Sequence, residues 1–321
     1  MIQYLVRRVL WACVLFLAIT VVVYIIFFIV PVNPARLACG QVATDRCIEN
    51  ARRNLNLERP VSSQYGLFLW RLVAHHELGR SYTNRQSVNA TVMNAAPVTA
   101  SLVFGGAVLW LLIALPIGIL SALRPRSLLD RASMVFVLIG ISAHPVWIGL
   151  ILAYVVGFKL GWTPITGYCD FFNPVTDCGG PTQWAWHMVL PWITFAVLFA
   201  ALYARMIRAN VIEAAGEDYV RTARAKGAPE WIVLRSHVLR NALLPVVTLL
   251  GMDIGVALGG AVFTESVFSL PGLGQTALTA IQTFDLPTVE GVVVFATISI
   301  LVLNLLVDLL YVVIDPRIRL S

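Results

Sequence analysis

The sequence is poor in charged residues. Asp, Glu, Lys and Arg make up 12% of its 321 residues, whereas hydrophobic residues make up 59%, and the mean hydropathy is +0.81. A soluble domain carries about 25% charged residues, so this deficit excludes an ordinary soluble protein. The apolar residues fall in runs of about 20, the length that a helix needs to cross a bilayer. These runs predict an all-α, polytopic membrane protein, and we expect no nucleic-acid partner despite the net charge of +6.

The motifs of several common enzyme sites are also missing. The two lysines, Lys159 and Lys226, stand outside any G-x-x-x-x-G-K-[ST] sequence, so the chain has no Walker A loop to hold nucleotide phosphates. H-E-x-x-H and G-x-S-x-G are absent as well. Because adjacent residues on a helix face different ways, His75-His76-Glu77 is better explained as exposed polar residues than as a metal site. We therefore expect no catalytic, cofactor or metal site in this chain.

Six apolar runs are long enough to be transmembrane helices. The first follows Arg7 and Arg8 and exceeds the apolar region of a cleaved signal peptide, about 7–15 residues, so we interpret it as a retained span. The runs divide the chain into a tail and first span at 1–30, an insertion at 31–98 and a core at 99–321 with five spans. The predicted spans are 9–30, 99–122, 133–158, 188–209, 241–263 and 288–313.

The distribution of cations predicts the orientation in the membrane. Arg and Lys collect in both tails and in the loops after the second and fourth spans, whereas the loop after the fifth span has none. Because short cytoplasmic loops carry the excess of these residues, both termini are expected to be cytoplasmic. The insertion at 31–98 has eight arginines, but loops longer than about 60 residues largely escape this rule. The sequence therefore predicts a multi-pass protein of the cell membrane.

Four of the five cysteines form two pairs on the predicted outer side. Cys39 and Cys47 fall in the first external segment, and Cys169 and Cys178 fall in the second. Two local disulfides suit an oxidising compartment, and unpaired thiols are the alternative. Neither pair has the short spacing of zinc ligands. Cys13, in the first span, is expected to be a small buried apolar residue.

The insertion at 31–98 predicts two short helices on the outer face. Cys47 to Leu57 combines charged and apolar residues at helical spacing. Gln64 to Val73 has the pattern of an amphipathic helix that lies on the membrane surface, and Pro60 separates the two. We expect a small helical cap, which serves either as an interface for an external partner or as a lid.

The loop at 208–240, which we name the charged loop, contains the sequence DYVRTARAKG from Asp218 to Gly227. Its acidic start and basic end suit the helix dipole. We expect Asp218 to cap a two-turn helix that Gly227 terminates, with Pro229 in the first turn of the next helix. Exposed Tyr and Arg side chains are typical of protein contacts. A solvated basic loop beside acidic lipids fits the composition too.

Polar residues in and beside the spans allow more than one role. A lone carboxylate such as Asp253, near the middle of the fifth predicted span, costs about 2.5–3.5 kcal/mol, so it either lines a pathway or pairs structurally. His144, which precedes Pro145, is expected to mark a kink. Asp253 and His144 together would suit a self-sufficient ion-coupled carrier or channel. Arg205 and Arg208 are expected to extend towards lipid headgroups.

The charged loop and several other stretches resemble one family of transporters. Residues 203–247, YARMIRANVIEAAGEDYVRTARAKGAPEWIVLRSHVLRNALLPVV, are similar to the coupling loop of binding-protein-dependent ABC importer permeases. More narrowly, the chain resembles the first permease subunit of the peptide (dipeptide, oligopeptide or nickel) family. The two cysteine pairs and Asp253 depart from the family pattern. The matching motifs are LERP at 57–60, GRS at 79–81, GWTP at 161–164, ESVF at 265–268, PGLG at 271–274, VDLLY at 307–311 and DPRIR at 315–319.

The resemblance implies the type I ABC importer fold and a transport role rather than an enzyme. It implies a second homologous permease chain, two cytoplasmic ATP-binding domains that carry ATP and Mg, and an external substrate-binding protein. The cargo would be a short peptide, with a metal chelate such as nickel as the alternative. The short helix of the charged loop would sit in a cleft of an ATPase and pass its closure to the spans. The residues given this role are Glu217, Asp218, Tyr219, Arg221, Arg224, Lys226 and Gly227.

Overall fold

The computed structural model describes residues 2–26, 35–36, 39, 44–54, 60–172 and 178–314. The end of the first predicted span at 27–30 and the motif residues 57–59 and 315–319 lie outside this part. The described residues are mainly helical, which confirms the all-α prediction for them. The helices are α1 (Ile2–Tyr24), α2 (Asp45–Asn54), α3 (Val61–Ala74), α4 (Val88–Leu123), α5 (Leu128–Ser142), α6 (Pro145–Lys159), α7 (Pro181–Gly216), α8 (Asp218–Ala225), α9 (Glu230–Ala242), α10 (Leu244–Ala257), α11 (Val262–Phe268), α12 (Leu273–Gln282) and α13 (Leu286–Ile314).

The described helices agree with the prediction of about six spans. Four of them, α1, α4, α7 and α13, are long and apolar enough to cross a membrane on their own. Two bent pairs, α5 with α6 and α9 with α10, raise the number to six if each pair is one span. The first pair covers most of the span predicted at 133–158. The second pair bends at Leu243, near the start of the span predicted at 241–263, and α10 ends at Ala257.

The sharper break, a bend of 101°, separates α5 from α6. Proline disfavours the helical conformation of the residue before it, and His144, which precedes Pro145, is extended with ψ 137°. The backbone N–H of Val146 donates to Nδ1 of His144 at 3.3 Å, so the imidazole caps the new helix. This confirms the predicted kink at His144.

Contacts divide the chain into two compact units, each described here by itself. The first comprises Met1–Thr99, Gly255–Val262 and Pro271–Ser321, so it groups the predicted insertion with α1 and α13. Its core includes Val88 of α4 and Leu273 of α12, both fully buried. The apolar faces of α4, α12 and α13 meet around these residues.

Helix α3 packs on α1 through aromatic side chains. The ring of Tyr24 lies 5.5 Å from that of Tyr65 and 5.9 Å from that of Phe68. The side chains of Trp70 and Val73 on α3 are each 63% exposed. This arrangement confirms the predicted amphipathic helix, with one face against the first span and the other exposed.

The second unit comprises Ala100–Ile254 and Phe263–Leu270, and α7 is its longest helix. Trp110 of α4 is fully buried, and its ring stacks on that of Phe199 of α7 with centroids 4.6 Å apart. The core around this pair continues along α7 to the charged loop. The fold of this unit therefore joins the span at α7 directly to α8.

Candidate functional site

Helix α8 begins immediately after α7, with one residue between them. That residue, Glu217, is extended at φ −68° and ψ 149° and occupies the capping position, but its side chain makes no capping hydrogen bond. Its carbonyl accepts the N–H groups of Val220 at 3.1 Å and Arg221 at 3.2 Å. The predicted cap at Asp218 is therefore displaced by one residue. The carboxylate of Asp218 instead lies 3.6 Å from the guanidinium of Arg221.

Gly227 terminates α8, as predicted. Its φ of +77° is a left-handed conformation that glycine adopts at little cost. The N–H of Gly227 donates to the carbonyl of Arg224 at 2.9 Å, and the N–H of Ala228 donates to that of Ala223 at 3.2 Å. These two bonds form a Schellman motif, which satisfies the last carbonyls of the helix.

An ion pair inside the charged loop closes the turn after α8. Arg224 donates from Nε to Oε1 of Glu230 at 2.8 Å and from Nη2 to Oε2 at 3.3 Å. Two parallel bonds fix the orientation of a guanidinium more strictly than one. The geometry gives Arg224 a part in holding α8 against the start of α9.

The two faces of α8 differ in what they contact. Val220 is fully buried and belongs to the core cluster that includes Ile207 of α7 and Val233 of α9. Tyr219 is 40% exposed, and the side chain of Arg221 is 73% exposed. The helix is thus anchored by an apolar residue and presents an aromatic ring and charges outward. Val220 was not among the residues singled out from the sequence, although it stands alone as a large apolar residue in DYVRTARA.

The seven predicted coupling residues lie together at this place in the structure. Asp218, Tyr219 and Arg221 are on the exposed part of α8, Arg224 is paired, and Gly227 forms the turn. Glu217 and Lys226 are the residues that flank the helix on either side, and both are exposed. A short, well-terminated helix with such a surface suits insertion into a groove of another protein.

Two arginines near the end of α7 have different environments. Arg205 is exposed, which agrees with an extension towards headgroups. Arg208 is only partly exposed and its guanidinium donates to the carboxylate of Asp130 on α5. The expectation that Arg208 extends to lipid is therefore wrong, because a buried carboxylate within the protein binds it.

Asp253, on α10, accepts a hydrogen bond from the hydroxyl of Tyr203 on α7. The distance from Tyr203 Oη to Asp253 Oδ2 is 2.6 Å, and Tyr203 is 3% exposed. Of the two roles left open by the sequence, this contact favours structural pairing. With His144 capping α6, both residues of the ion-carrier alternative have partners within the chain.

A Tyr203→Phe variant is expected to lower the free energy of unfolding by about 1–3 kcal/mol, because the half-buried carboxylate of Asp253 loses its donor. The ring, which packs against Trp110, is kept. The melting temperature of the purified chain in detergent measures the change. Tyr154→Phe is the matched control, since Tyr154 is 54% exposed. Equal melting temperatures for Tyr203→Phe and the native chain would contradict structural pairing.

A second buried carboxylate organises the first compact unit. Asp285, 5% exposed, accepts the backbone N–H of Tyr82 at 2.8 Å and the hydroxyl of Thr288 at 2.7 Å, and it also accepts the hydroxyl of Ser81. Burial raises the pKa of the Tyr82 phenol above its usual range, and the carboxyls of Glu290 and Asp285 raise it further. Asp285 thus ties the segment before α4 to the start of α13.

The cysteines are paired as the sequence suggests. The structure joins Cys39 to Cys47 and Cys169 to Cys178, with Cα atoms 6.0 Å and 5.3 Å apart. Both separations lie in the range usual for disulfides, about 4.4–6.8 Å. Cys13 is exposed, so the expectation of a buried residue is wrong.

Both the N-terminal part and the core of the chain match one family of membrane transport components. The family described as the inner membrane component of binding-protein-dependent transport systems matches residues 114–320. The N-terminal part of such membrane components matches residues 1–103. The chain belongs to this family. It is accordingly a transport subunit of the membrane and works with other components of an ABC transporter.

Several members of the permease family are similar to this chain over nearly its whole length. A probable D,D-dipeptide transport system permease protein of Escherichia coli (strain K12) is 37% identical and covers 96% of this chain and 95% of its own. A dipeptide transport system permease protein of Alkalihalophilus pseudofirmus is 34% identical, and the match covers 99% of this chain and 100% of that protein. A putative peptide transport system permease protein of Brucella abortus (strain 2308) is 34% identical, with 98% of each covered.

The fold is shared with a solved ABC transporter. A chain from the inward-facing MetNI methionine ABC transporter matches with a TM-score of 0.53 and 18% identity, and the match covers 70% of this chain and 96% of that one. Identity this low supports the fold alone. The described fold is therefore that of an ABC transporter transmembrane domain.

Proposed function

We propose that this chain forms half of the translocation pathway of an ATP-driven importer of short peptides. A second, homologous permease chain supplies the other half, and an extracytoplasmic binding protein delivers the substrate. Relatives that are 34–37% identical to this chain are named as peptide or dipeptide transport permeases. These names support a peptide substrate over a metal chelate. The pathway opens alternately to the two sides of the membrane.

The observation that carries the proposal is α8, an anchored helix with an exposed Tyr219 and Arg221. Two cytoplasmic ATP-binding domains, which hold ATP and Mg, would receive this helix in a cleft. If α8 contacts the open and closed forms of these domains differently, that difference supplies the free energy for the switch in access. The seven residues from Glu217 to Gly227 named above serve this contact.

The orientation follows from the distribution of cations. In this proposal both termini and the charged loop are cytoplasmic, since Arg and Lys are concentrated there. Residues 31–98 form an extracytoplasmic helical insertion, and residues 99–321 form the core with the other five spans. The two disulfides then lie on the oxidising side, where such bonds persist.

Purification through a tag on this chain in native detergent tests the assembly. We expect a second permease and ATP-binding subunits to co-purify, and the complex in vesicles to take up labelled di- and tripeptides only with ATP. Recovery of this chain without any ATP-binding protein would contradict the proposal. Uptake by this chain alone without ATP would favour the ion-coupled carrier.

An Arg221→Glu variant is expected to reduce the amount of peptide taken up per ATP hydrolysed about tenfold. An effect of this size is typical of the coupling between two sites of one protein. The change reverses a charge on the exposed face of α8 and places it near Asp218. Uptake and hydrolysis are measured on the same vesicles. Arg235→Glu is the control, because Arg235 is an exposed arginine of the same loop beside Trp231. An unchanged ratio in Arg221→Glu would exclude this arginine from coupling.

A further inference from the structure

A partly buried ion pair joins the C-terminal part of α7 to the start of α5. Arg208 donates from Nε to Oδ1 of Asp130 at 2.7 Å and from Nη2 to Oδ2 at 3.0 Å. The side chains are 27% and 7% exposed, respectively. Both residues belong to the second compact unit. Such a bidentate pair fixes the distance and the orientation between two helices.

Two serines and a backbone amide complete the network around Asp130. The hydroxyl of Ser121, on the last turn of α4, donates to the carboxylate, and the N–H of Arg126 donates to it at 2.8 Å. The hydroxyl of Ser133 donates to Ser121 at 3.0 Å, and Nε of Arg208 also lies 3.1 Å from Ser121 Oγ. We name Ser121, Asp130, Ser133 and Arg208 the α4–α5–α7 clamp.

Apolar contacts already hold these helices together without the clamp. A Cβ atom on Gly118 would lie 2.8 Å from the carbonyl oxygen of Ala204, so α4 and α7 touch through their backbones. A Cβ atom on Gly140 would lie 2.6 Å from that of Ala201, so α5 and α7 are equally close. Removing Asp130 and part of Arg208 from water carries a desolvation cost that offsets their attraction. In an already packed region, this indicates a role other than adhesion.

The position of the clamp connects it with α8. From Arg208, α7 continues without a break to Gly216, about 12 Å further at 1.5 Å per residue. Glu217 alone separates that end from α8, whose Val220 is buried in the same core. A displacement of α8 therefore reaches Arg208 through a continuous helix.

We infer that the α4–α5–α7 clamp is the joint that passes movement of α8 to α4 and α5. This inference rests on the proposed function, within which Asp130 and Arg208 are positioning residues. In this inference they act through α7 and not by contact with the peptide or the ATPase. The clamp makes the adjoining ends of α4 and α5 move with α7, so that a displacement of α8 is not lost in a sliding of α7 alone.

The test uses the complex purified through a tag on this chain and reconstituted in vesicles. Labelled di- and tripeptide uptake, ATP hydrolysis and the amount of assembled complex are measured for Arg208→Ala and Asp130→Asn. We expect each variant to assemble and hydrolyse ATP, with uptake per ATP about tenfold lower. Arg208→Lys keeps the charge but loses the bidentate geometry, and we expect an intermediate ratio. The double variant D130R/R208D exchanges the two charges of the pair, and we expect it to restore part of the uptake per ATP hydrolysed.

Arg205→Ala is the matched control, because Arg205 is an exposed arginine one turn earlier on α7. Its uptake per ATP hydrolysed is expected to equal that of the native complex. If uptake in Arg208→Ala and Arg208→Lys falls only in proportion to the assembled complex, the clamp is merely structural and the inference is overturned. A variant that fails to assemble leaves Arg208→Lys and D130R/R208D to decide. A native complex without ATP-driven uptake overturns the proposed function instead.

Discussion

A Val220→Asp variant is expected to lose ATP-driven uptake almost completely while the chain remains in the membrane. Val220 is fully buried in the core cluster beneath α8, and an unpaired charge there costs several kcal/mol. Helix α8 has only eight residues, too few to be stable without packing. The cheaper response is therefore for α8 to leave the core, which removes its fixed position for the ATPase. We expect uptake to fall about 100-fold or more, equivalent to roughly 3 kcal/mol.

Limited trypsin digestion reports the position of α8 directly. Arg221, Arg224 and Lys226 lie on or beside the helix, so a helix that has left the core is cleaved faster. Val220→Thr is the conservative control: it keeps the shape but replaces one methyl group with a hydroxyl, and we expect a partial loss of uptake. Native rates of uptake and digestion in Val220→Asp would show that α8 needs no anchor.

An Asp285→Ala variant is expected to lower the free energy of unfolding by roughly 4 kcal/mol. The substitution removes one acceptor that serves three donors, and hydrogen bonds to charged groups are worth about 1.5–3 kcal/mol each. Ser81, Tyr82 and Thr288 are then left to find water or to remain unsatisfied. Thermal unfolding of the purified chain in detergent measures the loss.

Digestion also separates a local effect of Asp285→Ala from a global one. Arg80 and Arg85 flank the tied segment, so we expect faster tryptic cleavage there than in the charged loop. Asp285→Asn retains one acceptor oxygen. Its melting temperature and its rate of cleavage are expected to lie between those of the native chain and those of Asp285→Ala. Thr83→Ala, at an exposed neighbouring position, should unfold like the native chain. A native melting temperature for Asp285→Ala would rule out this carboxylate as an anchor.

Features that depend on local sequence agree between prediction and structure. The presence of a short helix at α8 follows from charge placement, and its end at Gly227 follows from the freedom of glycine at positive φ. The kink at His144 follows from the proline after it. The start of α8 lies one residue earlier than predicted: Glu217 takes the extended capping position, although Asp is the more usual capping residue.

Features that depend on distant contacts are those the sequence did not predict. Asp130 and Arg208 are 78 residues apart, and the local sequence around each residue does not indicate that the two form an ion pair. Asp253 is 50 residues from Tyr203, so its two roles stayed open until the structure brought them together. Cys13 is exposed although it lies in an apolar run, because hydrophobicity places a residue in the membrane without saying which face it occupies.

By itself, the sequence determined that this is a membrane protein with about six spans and that a short charged helix follows the fourth. Composition, run length and turn-forming residues are local properties, and the bilayer and the backbone respond to them directly. Only the tertiary structure decided that Val220 anchors this helix, that Asp130 holds Arg208, and that Asp285 ties residues 204 positions away. Packing sets these pairings, because a buried polar group must find its partner among whatever side chains the folded helices bring within reach.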